Sequence, residues 1–248
     1  MGLPPIDAPA HHALVAYYRS GDAMRSRSVS DVVLTGTLDI PAIPPRLAAD
    51  WEREIIGSQL MLEPGDVAPL PLARARMRWP DYRQCVQAVS DWTRGCGLPD
   101  LLASSDIALM ACRGARYHHD GAQYGGAAFC NLFVSEDKGL DLHFPRTGRR
   151  IPLARGTVVV FDTGQPHGVI GRSSHRFDPA DFPTDADCSQ LFLTWELPIE
   201  STCVGQALRI RHDTDPATAR ALDEEQVRRD GMRADVDPAS GQWCRTVA

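Results

Sequence analysis

The chain has 248 residues, 43% of them apolar and 23% charged, with a formal net charge of −6. That length suits one domain with extensions or at most two small ones, and the composition is that of a soluble globular protein rather than a disordered one. The negative balance argues against non-specific affinity for nucleic acid or anionic membrane, and no apolar run, "IALMAC" and "TVVVF" included, is long enough to span a bilayer.

The start, "MGLPPIDAPAHH", has no basic region followed by an apolar stretch, so no secretory signal is expected. Residues 1–30 are polar and poorly patterned and read as a partly mobile lead-in. "DVVLTGTLDI" (31–40) reads as a strand bent at Gly36. "PPRLAADWEREIIGSQLML" (44–62) reads as a helix: prolines suit its start, and Leu47, Trp51 and Ile55 recur at i+4 on one face. A second helix is predicted over 80–95, where Tyr82, Cys85, Val86, Val89, Trp92 and Thr93 form the stripe and Gly95 and Gly97 are available as stops.

After residue 106 the texture changes. Short apolar or alternating runs ("IALMAC", "GAAFCNLFVS", "LDLHFP", "RRIPL", "TVVVFD", "HGVIG", "QLFLTWEL") are separated by turn residues such as "EDKG", "RTG" and "TGQP". That is the pattern of an all-β sandwich or barrel. Residues 201–248 read as a charged extension in which "TDPATARALDEEQVRRDG" forms one helix, with Asp215 or Thr214 as cap and Pro216 in its first turn. "RRDGMR" near the tail reads as a solvated face. The expected organisation is residues 1–105 as helical support with some strand, not an independent domain, 106–200 as a β core, and 201–248 as the extension. Seven cysteines at irregular spacing, with no C-x-x-C, argue for reduced thiols and a cytoplasmic setting.

The stretch "RYHHDGAQYGG" (116–126) sets two histidines and an aspartate before a glycine-rich turn. In extended backbone, residues i and i+2 share a face. His118 and Asp120 therefore face one interior, and His119 faces away. A metal needs a third ligand. His167 stands after "TVVVFDTGQP" and opens "HGVIG", where an adjacent strand could bring it to the pair; His143 alternates with Asp141 and reads as packed or solvated. Two neutral imidazoles and one carboxylate on one face of an octahedral ion leave three positions open, the donor set of non-haem iron(II) oxygenases. An isolated H-x-D is by itself common as a surface pair in a turn.

With its ordered tail, "PLARGTVVVFD" and then His167, the segment 106–197 resembles the iron(II)/2-oxoglutarate-dependent dioxygenases, in the style of their prolyl-hydroxylase-like branch. The resemblance implies a double-stranded β-helix, a jelly-roll or cupin-like core, here with supporting N-terminal helices. It implies Fe(II) on His118, Asp120 and His167, 2-oxoglutarate as co-substrate, dioxygen, and oxidation of an unactivated C–H bond in a small-molecule or amino-acid-like substrate. Hydroxylation is the first expectation, desaturation or cyclisation the others. Family members that halogenate have a small residue at the position of Asp120. The family also holds the far carboxylate of 2-oxoglutarate with a basic residue, for which Arg176, nine residues after His167, is the first candidate and Arg172 the second. Here the pattern departs, because "FDPADFPTDADC" intervenes before the last core strand. Arg113, Arg116, Arg146, Arg149 and Arg150 are the other cations at hand. Asn131 and Tyr124 are candidates to line the co-substrate pocket; a turn tyrosine and a locally bonded asparagine are the competing reading. The alternatives are a cupin-type metalloenzyme that does not use 2-oxoglutarate, and a non-catalytic β-sandwich binding module.

Overall fold

A computed structural model describes residues 14–56, 61–183 and 186–245. The chain opens with β1 (Leu14–Ser20), β2 (Ala23–Ser28) and β3 (Val33–Thr37), followed by α1 (Pro45–Ile56), β4 (Val67–Leu70), α2 (Leu72–Arg78) and α3 (Tyr82–Gly95). Eight strands come next: β5 (Ile107–Cys112), β6 (Ala115–His118), β7 (Ala127–Phe133), β8 (Leu140–Phe144), β9 (Arg149–Pro152), β10 (Thr157–Asp162), β11 (His167–Gly171) and β12 (Gln190–Pro198). The chain then forms α4 (Thr202–Ala207), α5 (Pro216–Ala219), β13 (Gln226–Arg229), β14 (Met232–Val236) and β15 (Trp243–Arg245).

The strands make a six-stranded sheet, β3-β10-β7-β12-β5-β4, and a four-stranded sheet, β6-β11-β8-β9, with antiparallel pairing throughout. From β5 to β12 the chain passes repeatedly between the two, which is the jelly-roll arrangement the sequence leads one to expect. A third sheet, β15-β14-β13-β1-β2, joins the two ends of the chain. No helix among the described residues is long and apolar enough to cross a membrane.

Strand alternation divides the interior in two. Cys130, Leu132, Val158, Val160, Leu193 and Trp195 point from the six-stranded sheet toward the helices, where they meet Leu47, Trp51 and Ile55 of α1 and Tyr82, Cys85 and Val89 of α3. Leu47, Trp51 and Ile55 are each at most 3% exposed, and burying side chains of this kind contributes roughly 1.5–3 kcal/mol apiece. The alternate residues, Phe133, Val159, Phe161 and Phe192, belong to the second core between the sheets. Because β10 is covered on both faces, "TVVVFD" has no polar side to show.

The structure corrects the reading of both ends of the chain. Residues 14–28 form a hairpin, β1 to β2, closed by Gly21 at φ +57°. The helix expected from 44 is helical only over 45–56, and residues 57–60 lie outside the described ones. The single helix expected over 214–231 is instead one turn, α5, capped as foreseen by Asp215, whose side chain accepts from Thr218 N at 3.1 Å, and then strand β13. An apolar stripe too thin for a helix serves well in a strand: Val227 is 1% exposed and β13 pairs with β1. Asp230 and Gly231, at φ +52° and +78°, make the two-residue turn into β14, the Asp-Gly hairpin signal that sits in "RRDGMR".

Candidate metal centre

His118 ends β6 and His167 begins β11, and the two residues are direct register partners across that ladder. The distance between them in sequence is closed by one strand pairing. A bulge follows between His167 and Val169, at Gly168, where a Cβ would lie 2.8 Å from Tyr117 Cδ1 and 3.0 Å from Ala115 O. The imidazole centroids stand 4.4 Å apart. Asp120 lies between them, Oδ1 at 3.6 Å from His118 Nε2 and Oδ2 at 3.5 Å from His167 Nε2. One donor atom from each of the three residues falls within 4.8 Å of the others, and no other such group is found among the described residues.

The tautomers follow from the partners. His118 Nδ1 lies 2.7 Å from Arg116 O, and His167 Nδ1 lies 3.0 Å from Gln165 O. A carbonyl can only accept, so each Nδ1 carries a proton and each Nε2 is the nitrogen left facing the aspartate. Burial, and then the nearby charge of His118, push the His167 pKa well below its ordinary range, so that ring is neutral. Burial pushes the Asp120 carboxyl up, against the pull of the neighbouring imidazoles. Two imidazole nitrogens and a half-buried carboxylate with no arginine or lysine paired to it form a donor set that fits a divalent first-row metal ion.

The turn that carries Asp120 is anchored from several sides. Asp120 N donates to Thr163 O at 2.8 Å. A Cβ on Gly121 would come within 2.7 Å of Val227 Cγ2 and 3.0 Å of Gly164 Cα, so only glycine lets this turn lie against β13 and the loop before His167. Behind it sits an ion pair that the sequence does not advertise. Arg27 and Asp162 are both fully buried, with Nη1–Oδ2 at 2.7 Å and Nη2–Oδ1 at 2.8 Å. Arg27 Nε donates to Gly125 O at 2.7 Å, and Asp162 accepts from Ser30 N and Gly164 N. The pair therefore ties the loop after Asp120 to the loop before His167. Arg27 stands on β2 and is buried because the loops after Asp120 and before His167 close around it.

A cavity of about 340 Å³ opens beside the three residues, between the two sheets. His118, Asp120 and His167 all line it, as do Asn131 and Tyr124. Phe129, Asn131 and Phe133 of β7 and Phe192, Thr194 and Glu196 of β12 are the inward-facing sets. Asn131 is 7% exposed and its Oδ1 has no hydrogen-bond partner. His119 turns away, its ring 5.3 Å from that of Trp243. His143 also lies outside the cavity lining, beside the Tyr117 hydroxyl.

The arginines are elsewhere. No arginine or lysine is among the described residues that line the cavity. Arg172 pairs with Asp137 and Asp141, and Arg176 is exposed on the loop after β11. Arg113 donates to Phe182 O and Pro183 O, Arg116 pairs with Asp66, Arg146 with Asp31 and Arg150 with Asp141, and Arg149 donates to Val33 O. Neither Arg176 nor Arg172, the anchors foreseen, lines the cavity, because Arg172 is held by Asp137 and Asp141 and Arg176 stands in solvent.

No family model and no curated protein matches the sequence. Among solved structures, the chain is similar to the 2OG complex of a viral collagen prolyl hydroxylase from Paramecium bursaria Chlorella virus-1, at 10% identity and a TM-score of 0.37, over 67% of this chain and 94% of that one. It is also similar to the non-heme alpha ketoglutarate dependent epimerase of nogalamycin biosynthesis, at 12% identity and 0.32, over 77% and 88%. A polyketide cyclase from Streptomyces resistomycificus is similar at 11% identity and 0.26, over 42% and 72%.

Proposed function

We propose that this chain is a mononuclear non-haem iron(II) oxygenase that oxidises a C–H bond of a small-molecule or amino-acid-like substrate. The observation that carries this reading is the convergence of His118, Asp120 and His167 within 4.8 Å at the wall of a largely apolar cavity. His118 and His167 would hold the metal through Nε2 and Asp120 through its carboxylate, leaving the remaining positions open to ligands. Bound iron(II) supplies the redox chemistry that lets dioxygen attack an unactivated C–H bond. The protein's part is positional. The carbonyls of Arg116 and Gln165 fix a proton on each Nδ1 and leave each Nε2 facing Asp120, and Phe129, Phe133, Phe161 and Phe192 give the cavity beside them an apolar lining. Hydroxylation is the outcome assigned first, with desaturation or cyclisation of the same C–H bond behind it.

2-Oxoglutarate is the co-substrate that the resemblance brings with it. Its keto-acid end asks only for open metal positions, and the triad accommodates that. Its far carboxylate asks for a cation, and the described lining residues include none. The far end therefore does not fit in its usual anchorage, and this favours a second reading: the same iron centre in an enzyme that uses no dicarboxylate. Anaerobic iron(II) titration, followed by oxygen consumption and succinate release over a panel of amino acids and metabolites, tests both. Substrate-dependent succinate supports the 2-oxoglutarate reading, and oxygen consumption without succinate supports the second. Iron binding unchanged in His167→Ala removes the proposal.

A further inference from the structure

We infer that the ligand held beside the metal is a chelator whose far end is an uncharged hydrogen-bonding group, such as a carboxamide or hydroxyl, and not a second carboxylate. This rests on the iron centre proposed above and deepens it by naming the class of molecule the cavity takes.

The inward face of the six-stranded sheet supports this residue by residue. Asn131 of β7 and Thr194 of β12 are direct register partners, and both line the cavity. Asn131 is more than nine-tenths buried and its Oδ1 meets no donor of the protein. A buried amide atom left without a partner is costly, so this one points to a ligand that completes it. An amide exchanges its donor and acceptor by a flip about the terminal bond, and a hydroxyl rotates to do either. Asn131 and Thr194 therefore suit a neutral polar group whichever way it presents itself.

The charges exclude the alternative. The carboxylates among the described lining residues are Asp120 and Glu196, and Glu196, which is exposed, has no salt bridge to a cation among the described residues. Burial and the negative charge of Asp106 push its carboxyl up, which marks surroundings unfavourable to added negative charge. The cations nearest along the chain, Arg113, Arg116, Arg150 and Arg172, are each held by carbonyls or carboxylates outside the cavity. A carboxylate placed deep between Phe133, Phe161 and Phe192 would be desolvated with no counter-charge, an arrangement proteins avoid.

The test uses the full chain loaded with zinc(II), which is redox-inert, and isothermal titration with two probes. N-Oxalylglycine and its C-terminal carboxamide share a chelating end and a length, and differ only in whether the far end is charged. The carboxamide is expected to bind about tenfold more tightly or better, the scale of one hydrogen bond gained against one charge left unpaired. Asn131→Leu is expected to bring the two affinities together while zinc binding is retained; Thr194→Lys, which adds a cation to the same face, should favour the carboxylate and serves where the first variant does not fold. Zinc bound but the carboxylate held as tightly as the amide, or neither probe bound, overturns the inference and leaves the metal centre standing. Zinc affinity equal in wild type and His167→Ala overturns both.

Discussion

Each imidazole at the proposed centre is fixed by one hydrogen bond to a carbonyl two residues earlier, and its free nitrogen meets the same carboxylate. Removing any one of the three side chains leaves two donors, so His118→Ala, Asp120→Ala and His167→Ala should each weaken metal binding by roughly a hundredfold or more, since loss of even an outer partner costs 10–100-fold. His119→Ala should leave it largely intact, because that ring packs on Trp243; titration with iron(II) or zinc(II) reads the difference. Asp120 also bears on the outcome of the reaction. With its carboxylate in the third protein position, turnover in high chloride should give oxygenated, desaturated or cyclised product and no chlorinated one. Mass spectrometry of the product checks this, and chlorination by the wild-type chain would remove Asp120 from the ligand set.

At the scale of elements, the centre depends on two loops meeting: the glycine-rich turn after β6 and the turn between β10 and β11. The Arg27–Asp162 pair binds them, with both partners at 0% exposure and four further hydrogen bonds to backbone groups. A buried pair is costly to break from one side, because the remaining charge keeps its burial and loses its partner. Arg27→Met should therefore destabilise the fold by about 3–5 kcal/mol in urea denaturation. The double variant Arg27→Met with Asp162→Leu should recover part of that loss, since no lone charge then remains buried. A single variant within 1 kcal/mol of wild type would mean that water reaches this pair and that the loops are held by other contacts. Iron affinity should fall in the single variant even where it remains folded.

Across the whole molecule, the third sheet closes the chain on itself: β1 from the start pairs with β13 from the end, with β2 and β14 on either side of them. Its outer edge is held partly by carboxylates. Asp213 is gripped by Arg25, whose hydrogen bond holds that carboxyl below its ordinary range; Asp215 is lowered first by the Thr218 side chain and then by the Tyr17 hydroxyl. A carboxyl with a depressed folded pKa stabilises the fold above its unfolded pKa, near 4, and that contribution is lost as pH falls through the folded value. Thermal melts should accordingly fall in Tm between about pH 4 and pH 2, and Asp213→Asn should flatten that acid limb. Asp213 is exposed and Asp215 half-buried, so the effect should also shrink in high salt, most of all at Asp213.

The residues proposed to bear the chemistry were legible in part from local pattern. Strand alternation puts His118 and Asp120 on one face and His119 on the other, turn residues mark off β5 to β12, and the i+4 stripe of Leu47, Trp51 and Ile55 announces a covering helix; each is a short-range steric or periodic rule written into neighbouring residues. The hairpins at Gly21 and at Asp230–Gly231 were equally local signals, concealed by the polar residues around them. Other features depend on which distant segments meet. Arg27 is buried only because β2 and the loops of the centre close around it. The arginines spaced for an anchor do not line the cavity: Arg172 is held by Asp137 and Asp141, and Arg176 is left in solvent. A charged side chain goes where its counter-charge and water are, and that is decided by tertiary packing rather than by spacing along the chain.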